Sequence, residues 1–206
     1  MPQNKEKLHL YRDFKTLARL LEGGSVFCAF DTETTGLHAK NDFLMEIGAV
    51  KFNKDGVIST FDALIKPPVP ISSLVTSITH IDDNLVKDCP PAHIVVPDFL
   101  RFCEGTFLVA HNAPFDVGFI DTELERMTFP CLKNKTIDTL PLSRWSYPKL
   151  GKYNLQFLAE QFKIEVFNAH RADDDARVCM EVFLRCIKDT MSVQKKTERQ
   201  DCPTLF

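Results

Sequence analysis

With 206 residues, 44% of them apolar, the chain can bury one substantial core, and its length favours one domain over two. A formal net charge of -3 argues against a protein that coats nucleic acid by bulk attraction, which needs a dominantly basic surface. No apolar run approaches the length needed to cross a bilayer, and Met1-Pro2-Gln3-Asn4-Lys5-Glu6-Lys7 lacks the apolar segment of a secretory signal, so a cytoplasmic location is expected. The seven cysteines are odd in number, widely spaced and never arranged as Cys-x-x-Cys. They suggest neither a disulfide framework nor a zinc site.

Leu10, Phe14, Leu17, Ala18 and Leu21 recur at helical spacing, and Gly23-Gly24 follows where a helix stops; this predicts an amphipathic helix over Leu8 to Leu21. Ser25 to Phe30 is a short apolar run, as expected of a strand buried on both faces. Met45 to Phe52 and Val57 to Lys66 read as two further strands, joined in a hairpin by the turn Asn53-Lys54-Asp55-Gly56. After Pro67-Pro68 come a connecting segment, a helix over Ala92 to Cys103 and a fourth strand at Phe107 to Ala110. Pro114, suited to a first turn, opens a helix to Met127. A short fifth strand at Thr136 to Asp138, a helix over Asn154 to Phe162 and another over Asp173 to Lys188 follow. Three successive strands and then alternating helices and strands predict an α/β fold with a mixed five-stranded sheet flanked by helices. The chain divides into an N-terminal helical segment (1–24), a core domain (25–188) and a C-terminal tail (189–206), where periodicity is lost and a flexible segment is expected.

Asp31 and Glu33 stand two residues apart at the end of the first strand, so an extended backbone points both to one face. Like charges so placed are costly unless a cation neutralises them, and hard oxygen ligands suit magnesium or manganese. An isolated Asp-x-Glu at a strand end is ordinarily just solvated. Here "FDTETTG" follows a buried strand, which is where an open α/β sheet places its ligand crevice. Asp116, in "HNAPFD", opens the helix after the fourth strand, Asp175 sits early in the last helix, and His170 precedes that helix in "HRADDDA". A histidine, titrating near neutrality, is fit to take a proton from water. His9, His38 and His93 read as surface residues.

Together Asp31, Glu33, Asp116, His170 and Asp175 resemble the five-residue signature of the DEDDh (DnaQ-like) exonucleases, a family on the ribonuclease H-like fold. The resemblance spans roughly Val26 to Ile187, with "MEIGAV", "TIDTL" and "NLQFLAEQF" in familiar positions. Within the family it is strongest to the proofreading epsilon subunits of bacterial DNA polymerase III. His80 departs from the glycine frequent at its position, and Asp173 from an apolar residue; Asp173 and Asp174 read as a charged helix start.

The resemblance implies a 3′→5′ exonuclease releasing nucleoside 5′-monophosphates from DNA, with two Mg2+ or Mn2+ ions roughly 3.5–4 Å apart. Asp31 would bridge the ions, Glu33 and Asp175 would complete the first site, Asp116 would support the second, and His170 would act as general base. Thr35, Gly36, Leu37, His80, Ile81 and Asn112 are expected around the last sugar and base. Leu37 and Ile81 would wedge against the base, and amides near Thr35 and Gly36 would meet the 3′ hydroxyl. Phe115 is expected in the core; Lys149, Lys152 and Arg171 are candidate guides for the phosphate backbone. Implied partners are DNA 3′ ends, single-stranded or frayed, the polymerase III alpha subunit and the sliding clamp, the last through Gln200 to Phe206. The alternatives are an RNA trimmer of the ribonuclease T or oligoribonuclease kind and a mainly non-catalytic polymerase accessory.

Overall fold

The computed structural model describes residues 8–200, with side chains described as far as Thr190. Its five strands are β1 (Phe27–Thr34), β2 (Leu44–Asn53), β3 (Gly56–Leu64), β4 (Phe107–Ala110) and β5 (Thr136–Asp138), arranged β3-β2-β1-β4-β5. The two pairings among β1, β2 and β3 are antiparallel, whereas β1–β4 and β4–β5 are parallel. This is the expected mixed sheet. β1 runs four residues beyond Phe30, because its polar residues stay on the ladder with β2 as far as Thr34 opposite Leu44.

The helices are α1 (Leu17–Glu22), α2 (Ser73–Thr79), α3 (Asp83–Val86), α4 (Ala92–Cys103), α5 (Pro114–Arg126), α6 (Thr139–Ser146), α7 (Leu155–Phe162) and α8 (Ala172–Gln200). Three are absent from the sequence reading. The side chains of Ser72, Asp82 and Asp138 cap α2, α3 and α6 by accepting from the amides of Val75, Leu85 and Leu140, but α2 and α3 are too short to show a clear apolar period, and α6, TLPLSRWS, is half polar and carries Pro141.

Two expected segments differ. The helix expected from Leu8 is confined to a 3-10 turn at Phe14–Thr16 and α1, because the residues before it cover the edge of β5. Tyr11 donates its amide to the Thr136 carbonyl at 2.7 Å, and the Thr136 amide donates to the His9 carbonyl at 2.9 Å; an exposed strand edge offers such groups to any extended segment nearby. At the other end α8 continues past Lys188 to Gln200. Its middle is tied by Asp189, which takes hydrogen bonds from Arg185 Nε at 2.9 Å and from the Tyr147 hydroxyl at 2.5 Å. The clamp-peptide reading starts at Gln200, the last residue of α8, and the rest of it, with Cys202, falls on residues 201–206, outside the described ones.

Alternation along β1 divides the core. Phe27 and Ala29 join Phe52, Val109 and Phe183 under α1, α6, α7 and α8. Cys28 and Phe30 join Ile47, Phe99 and Ile120 under α4 and α5. The ring of Phe27 lies 5.1–5.6 Å from those of Phe183, Phe107 and Phe52, and burying each such side chain contributes about 1.5–3 kcal/mol. The thiols of Cys28, Cys103, Cys179 and Cys186 are buried, and desolvation raises the pKa of each.

Gly48 decides where α8 sits. It pairs with Asp31 across the β1–β2 ladder, and a Cβ there would stand 2.1 Å from the carbonyl carbon of Ala172 and 2.2 Å from the amide nitrogen of Asp173. The backbone of the α8 start therefore rests directly on β2. Gly48→Ala is expected to lower stability by about 1–3 kcal/mol, seen in a thermal melt as a fall of roughly 2–12 °C; an unchanged melt would show that α8 does not need this seat. His80 ends α2 at φ 59°, ψ 17°, the left-handed conformation that explains why glycine is frequent at its position in the resembling family. Removing its Cβ strain through His80→Gly should stabilise the fold by about 0.5–1 kcal/mol, measured by urea denaturation.

Candidate active site

The period of β1 sorts the acidic residues. Asp31 and Glu33 share the face of Phe27 and Ala29, which looks toward α8, and carboxylate oxygens of Asp31, Glu33 and Asp175 all lie within 4.8 Å of one another. Thr32 points the other way, toward α5. Its amide donates to Asp116 Oδ1 at 3.1 Å and its hydroxyl donates to the same oxygen at 2.8 Å. Asp116 lies in the first turn of α5 behind Pro114 and is buried. One strand thus gathers the acids of three segments.

Burial and mutual repulsion push these carboxyls up. Desolvation is the largest cause for each of them. For Asp31 the charges of Asp116, Asp175, Glu33 and Glu46 add, and its pKa is raised well above the usual carboxylate range. Glu33 is raised to about 8, with Asp175 and Glu46 adding to burial. Asp116 is raised to about 7 despite the Thr32 hydrogen bonds, which oppose the shift. Asp175 is raised to about 6, held back by the charge and the backbone amide of His170. A set of hard oxygen donors that repel one another is the donor chemistry a divalent cation such as Mg2+ satisfies.

His170 is exposed, with φ 61°, and its amide donates to Asp175 Oδ2 at 3.3 Å. All five residues of the signature therefore meet at one end of β1. The neighbouring Asp174 is otherwise engaged. Asp174 accepts from the amides of Phe167 and Asn168 at 2.7 and 2.8 Å and from Arg177 Nε at 2.9 Å, so it caps the loop before α8.

The residues expected around the terminal nucleotide separate into two groups. Leu37, at 77% exposure the most open large apolar side chain among the described residues, stands on the loop after β1, and His80 and Asn112 are exposed as well. Asn112 holds φ 64° with its amide donated to Asp138 Oδ1 at 3.0 Å. Ile81, by contrast, is fully buried with Met45, Ile71 and Val86, which leaves it no face for a base. The Thr35 amide is already donated to the Phe43 carbonyl at 2.9 Å. The Asp42 carboxylate occupies the space beside Gly36 that a Cβ would need. His9, His38 and His93 are exposed, and Phe115 packs 5.0 Å from Phe119 at the edge of the second core.

Two residues of the site, Arg126 and Glu46, were not recognised in the sequence. Arg126 straps the loop after β1 to α5, donating through Nη2 to the carbonyls of Ala39, Lys40 and Asp42 at 3.2–3.3 Å while lying 4.4 Å over the Phe43 ring. Glu46 is fully buried opposite Glu33 on β2 and binds the side chain of Arg171. Arg171 is thus committed to Glu46 and not available to guide a phosphate backbone. The one local sign was a charged residue inside the apolar run "MEIGAV", since a buried charge is retained where it is paired.

Comparison with known proteins follows the same lines. A family model described as Exonuclease matches residues 28–183. The chain is 48% identical over 163 residues to the DNA polymerase III subunit epsilon of Treponema pallidum, covering 78% of this chain and 76% of that protein. It is 42% identical over 171 residues to the PolC-type DNA polymerase III of Caldanaerobacter subterraneus, covering 83% of this chain but spanning only 12% of that polymerase. Among solved structures, exonuclease X in complex with 5′-overhanging duplex DNA superposes with a TM-score of 0.62 at 28% identity, covering 80% of this chain and 92% of that one. Escherichia coli exonuclease I bound to an oligonucleotide gives a TM-score of 0.71 at 18% identity, over 84% of this chain and 43% of that one, a likeness of fold.

The raised carboxyl pKa values fix a sign. Between the ordinary carboxylate range, about 4, and folded values of about 6 to 8, the metal-free native state holds protons that the unfolded chain releases. Its stability is fullest below that window and is lost as the pH rises through it. The melting temperature without metal is therefore expected to fall from pH 5 to pH 8. Added Mg2+ should restore it, and more at pH 8 than at pH 5, because binding displaces fewer protons there. Calorimetry with and without EDTA measures both, and a melting temperature flat across the window and indifferent to Mg2+ would contradict the site.

Proposed function

The chain belongs to the exonuclease family, and from that premise we propose that it is a divalent-metal-dependent 3′→5′ exodeoxyribonuclease that proofreads DNA during replication in the cytoplasm. The observation that carries the proposal is the convergence of Asp31, Glu33 and Asp175 within 4.8 Å, with Asp116 fixed behind them by Thr32 and His170 joined to Asp175. Relatives named as polymerase III epsilon and PolC-type polymerases support replication as the setting, and a neighbour solved with duplex DNA supports DNA as the substrate. The chain spans about an eighth of the PolC-type relatives it matches, so partnership with a polymerase III alpha subunit or a sliding clamp is part of the same proposal.

In this reading Asp31, Glu33 and Asp175 would hold a Mg2+ or Mn2+ ion, and Asp116 would support a second. Such ions supply charge neutralisation at the phosphoryl group and lower the pKa of a water. His170, open to solvent beside Asp175, takes the proton of the attacking water. Thr32 keeps Asp116 oriented while the charge at the phosphate changes. The bond broken is the one between the terminal phosphate and the preceding 3′ oxygen, which releases a nucleoside 5′-monophosphate and leaves a new 3′ hydroxyl.

Around the last nucleotide, Leu37 supplies an exposed apolar contact for the base, and His80, Asn112, Thr35 and Gly36 line the sugar side. Ile81, buried beneath α2, backs this wall from the core. No base-specific contact is required of such a pocket. Frayed ends are favoured because feeding unpaired nucleotides into it costs melting energy, which is smaller where pairing has already failed.

The test is digestion with Mg2+ of matched DNA, 3′-mismatched DNA and RNA of equal sequence. DNA should shorten from the 3′ end to monophosphates, fastest when mismatched, and EDTA should stop it. His170→Ala should lower kcat by about 10²–10⁴ with little change in binding, and Asp31→Ala should abolish turnover. Preferential cutting of RNA would replace this reading with an RNA trimmer, and no cutting with any metal would leave a binding subunit.

A further inference from the structure

Glu46 adds one more carboxylate beside a cluster that already repels itself, yet it is fully buried. Its charge is answered from the residues that immediately follow His170. Arg171 Nε lies 3.1 Å from both Glu46 oxygens, Nη2 lies 2.5 Å from Oε1, and the Ala172 amide donates to Oε2 at 2.9 Å. Asp62 and Asp173 also bear on Arg171 through their charges, but the guanidinium fork closes on Glu46.

His170 occupies the left-handed region at φ 61°. A residue with a Cβ stays there only where its surroundings over-determine the turn. One flank is held by the bond from the His170 amide to Asp175, and the other by the Glu46 cluster. An apolar pair could fill the same volume at no electrostatic cost, but it would not fix direction as a planar two-pronged ion pair does.

Resting on the reading of His170 as general base, we propose that Glu46 is a positioning residue for His170. Through Arg171 and the Ala172 amide it holds the turn that aims the histidine at the acid cluster. Glu46 touches neither substrate nor the reacting atoms; its effect passes through the turn. The nearest alternative, that the pair only glues α8 to β2, makes a different forecast, since glue would not distinguish His170 from the rest of the helix.

The experiment measures kcat and KM separately on single-stranded DNA with Mg2+ for Glu46→Gln, Arg171→Lys, His170→Ala and the double variant Glu46→Gln/His170→Ala, together with amide hydrogen exchange of each folded protein. Glu46→Gln and Arg171→Lys should lower kcat by up to about 10²-fold, the cost of a catalytic group displaced by an ångström, with KM held within about threefold. The double variant should be no slower than His170→Ala alone, because a group acting through His170 has nothing left to position. Exchange at Arg171 and Ala172 should quicken by about tenfold or more while Val178 to Phe183 stay protected.

Losses that multiply in the double variant, a KM effect without a kcat effect, or unchanged exchange at Arg171 and Ala172 would each overturn the proposal. If Glu46→Gln fails to fold, Arg171→Lys, which keeps both charges and loses only the fork, carries the same comparison. A wild-type protein that cuts nothing would sink the exonuclease reading instead, and the exchange data would then decide the Glu46 clamp without it.

Discussion

Four carboxylates gathered at one end of a sheet repel one another, and the rest of the structure is arranged around tolerating that repulsion. Burial makes it worse, because each charge that leaves water loses solvation as well as gaining like neighbours. The scaffold opposes it with rigidity. Phe27 anchors β1 in a stack of aromatic rings, the Thr32 amide and hydroxyl grip Asp116, and bare backbone at Gly48 lets α8 bring Asp175 down onto the sheet. A divalent cation is the chemical partner this arrangement suits, since it turns mutual repulsion into shared attraction.

A single strand organises the site because a strand has two faces. Odd-numbered residues of β1 carry Asp31 and Glu33 toward α8, and the even-numbered Thr32 reaches α5. The same alternation that divides the hydrophobic core into two layers divides the polar end into a cluster beneath α8 and a buttress beneath α5. The loop leaving β1 is then fixed by Arg126 from the far end of α5, so the segment that presents Leu37 is tied to the helix that supplies Asp116.

The residues of the site, from Asp31 to Asp175, lie inside the region 28–183 matched by the exonuclease model. The same region recurs in a relative of similar extent and in polymerases of which it forms only about an eighth. Glu46, Gly48 and Arg171 also lie within it. The acid cluster and its supports therefore lie in one contiguous stretch of chain, and the sheet, α5 and α8 hold it together.

Much of this was legible in the residues themselves. The period of two along "FCAFDTET" places Asp31 and Glu33 on one face wherever the strand lies, and Pro114 and Asn154 mark helix starts through chemistry that acts within a turn. The hairpin between β2 and β3, the short fifth strand and the order of elements follow from signals just as local. What the sequence could not disclose depends on residues distant along the chain meeting in space. Glu46 and Arg171 are separated by 125 positions, and only the landing of α8 on Gly48 makes them a pair. The burial of Ile81, the spending of the Thr35 amide on Phe43 and the cover that His9 to Tyr11 give to β5 were likewise decided by packing. Local periodicity records which way a side chain points from its own backbone; which neighbour it finds there is set by long-range contacts that no short window of sequence contains.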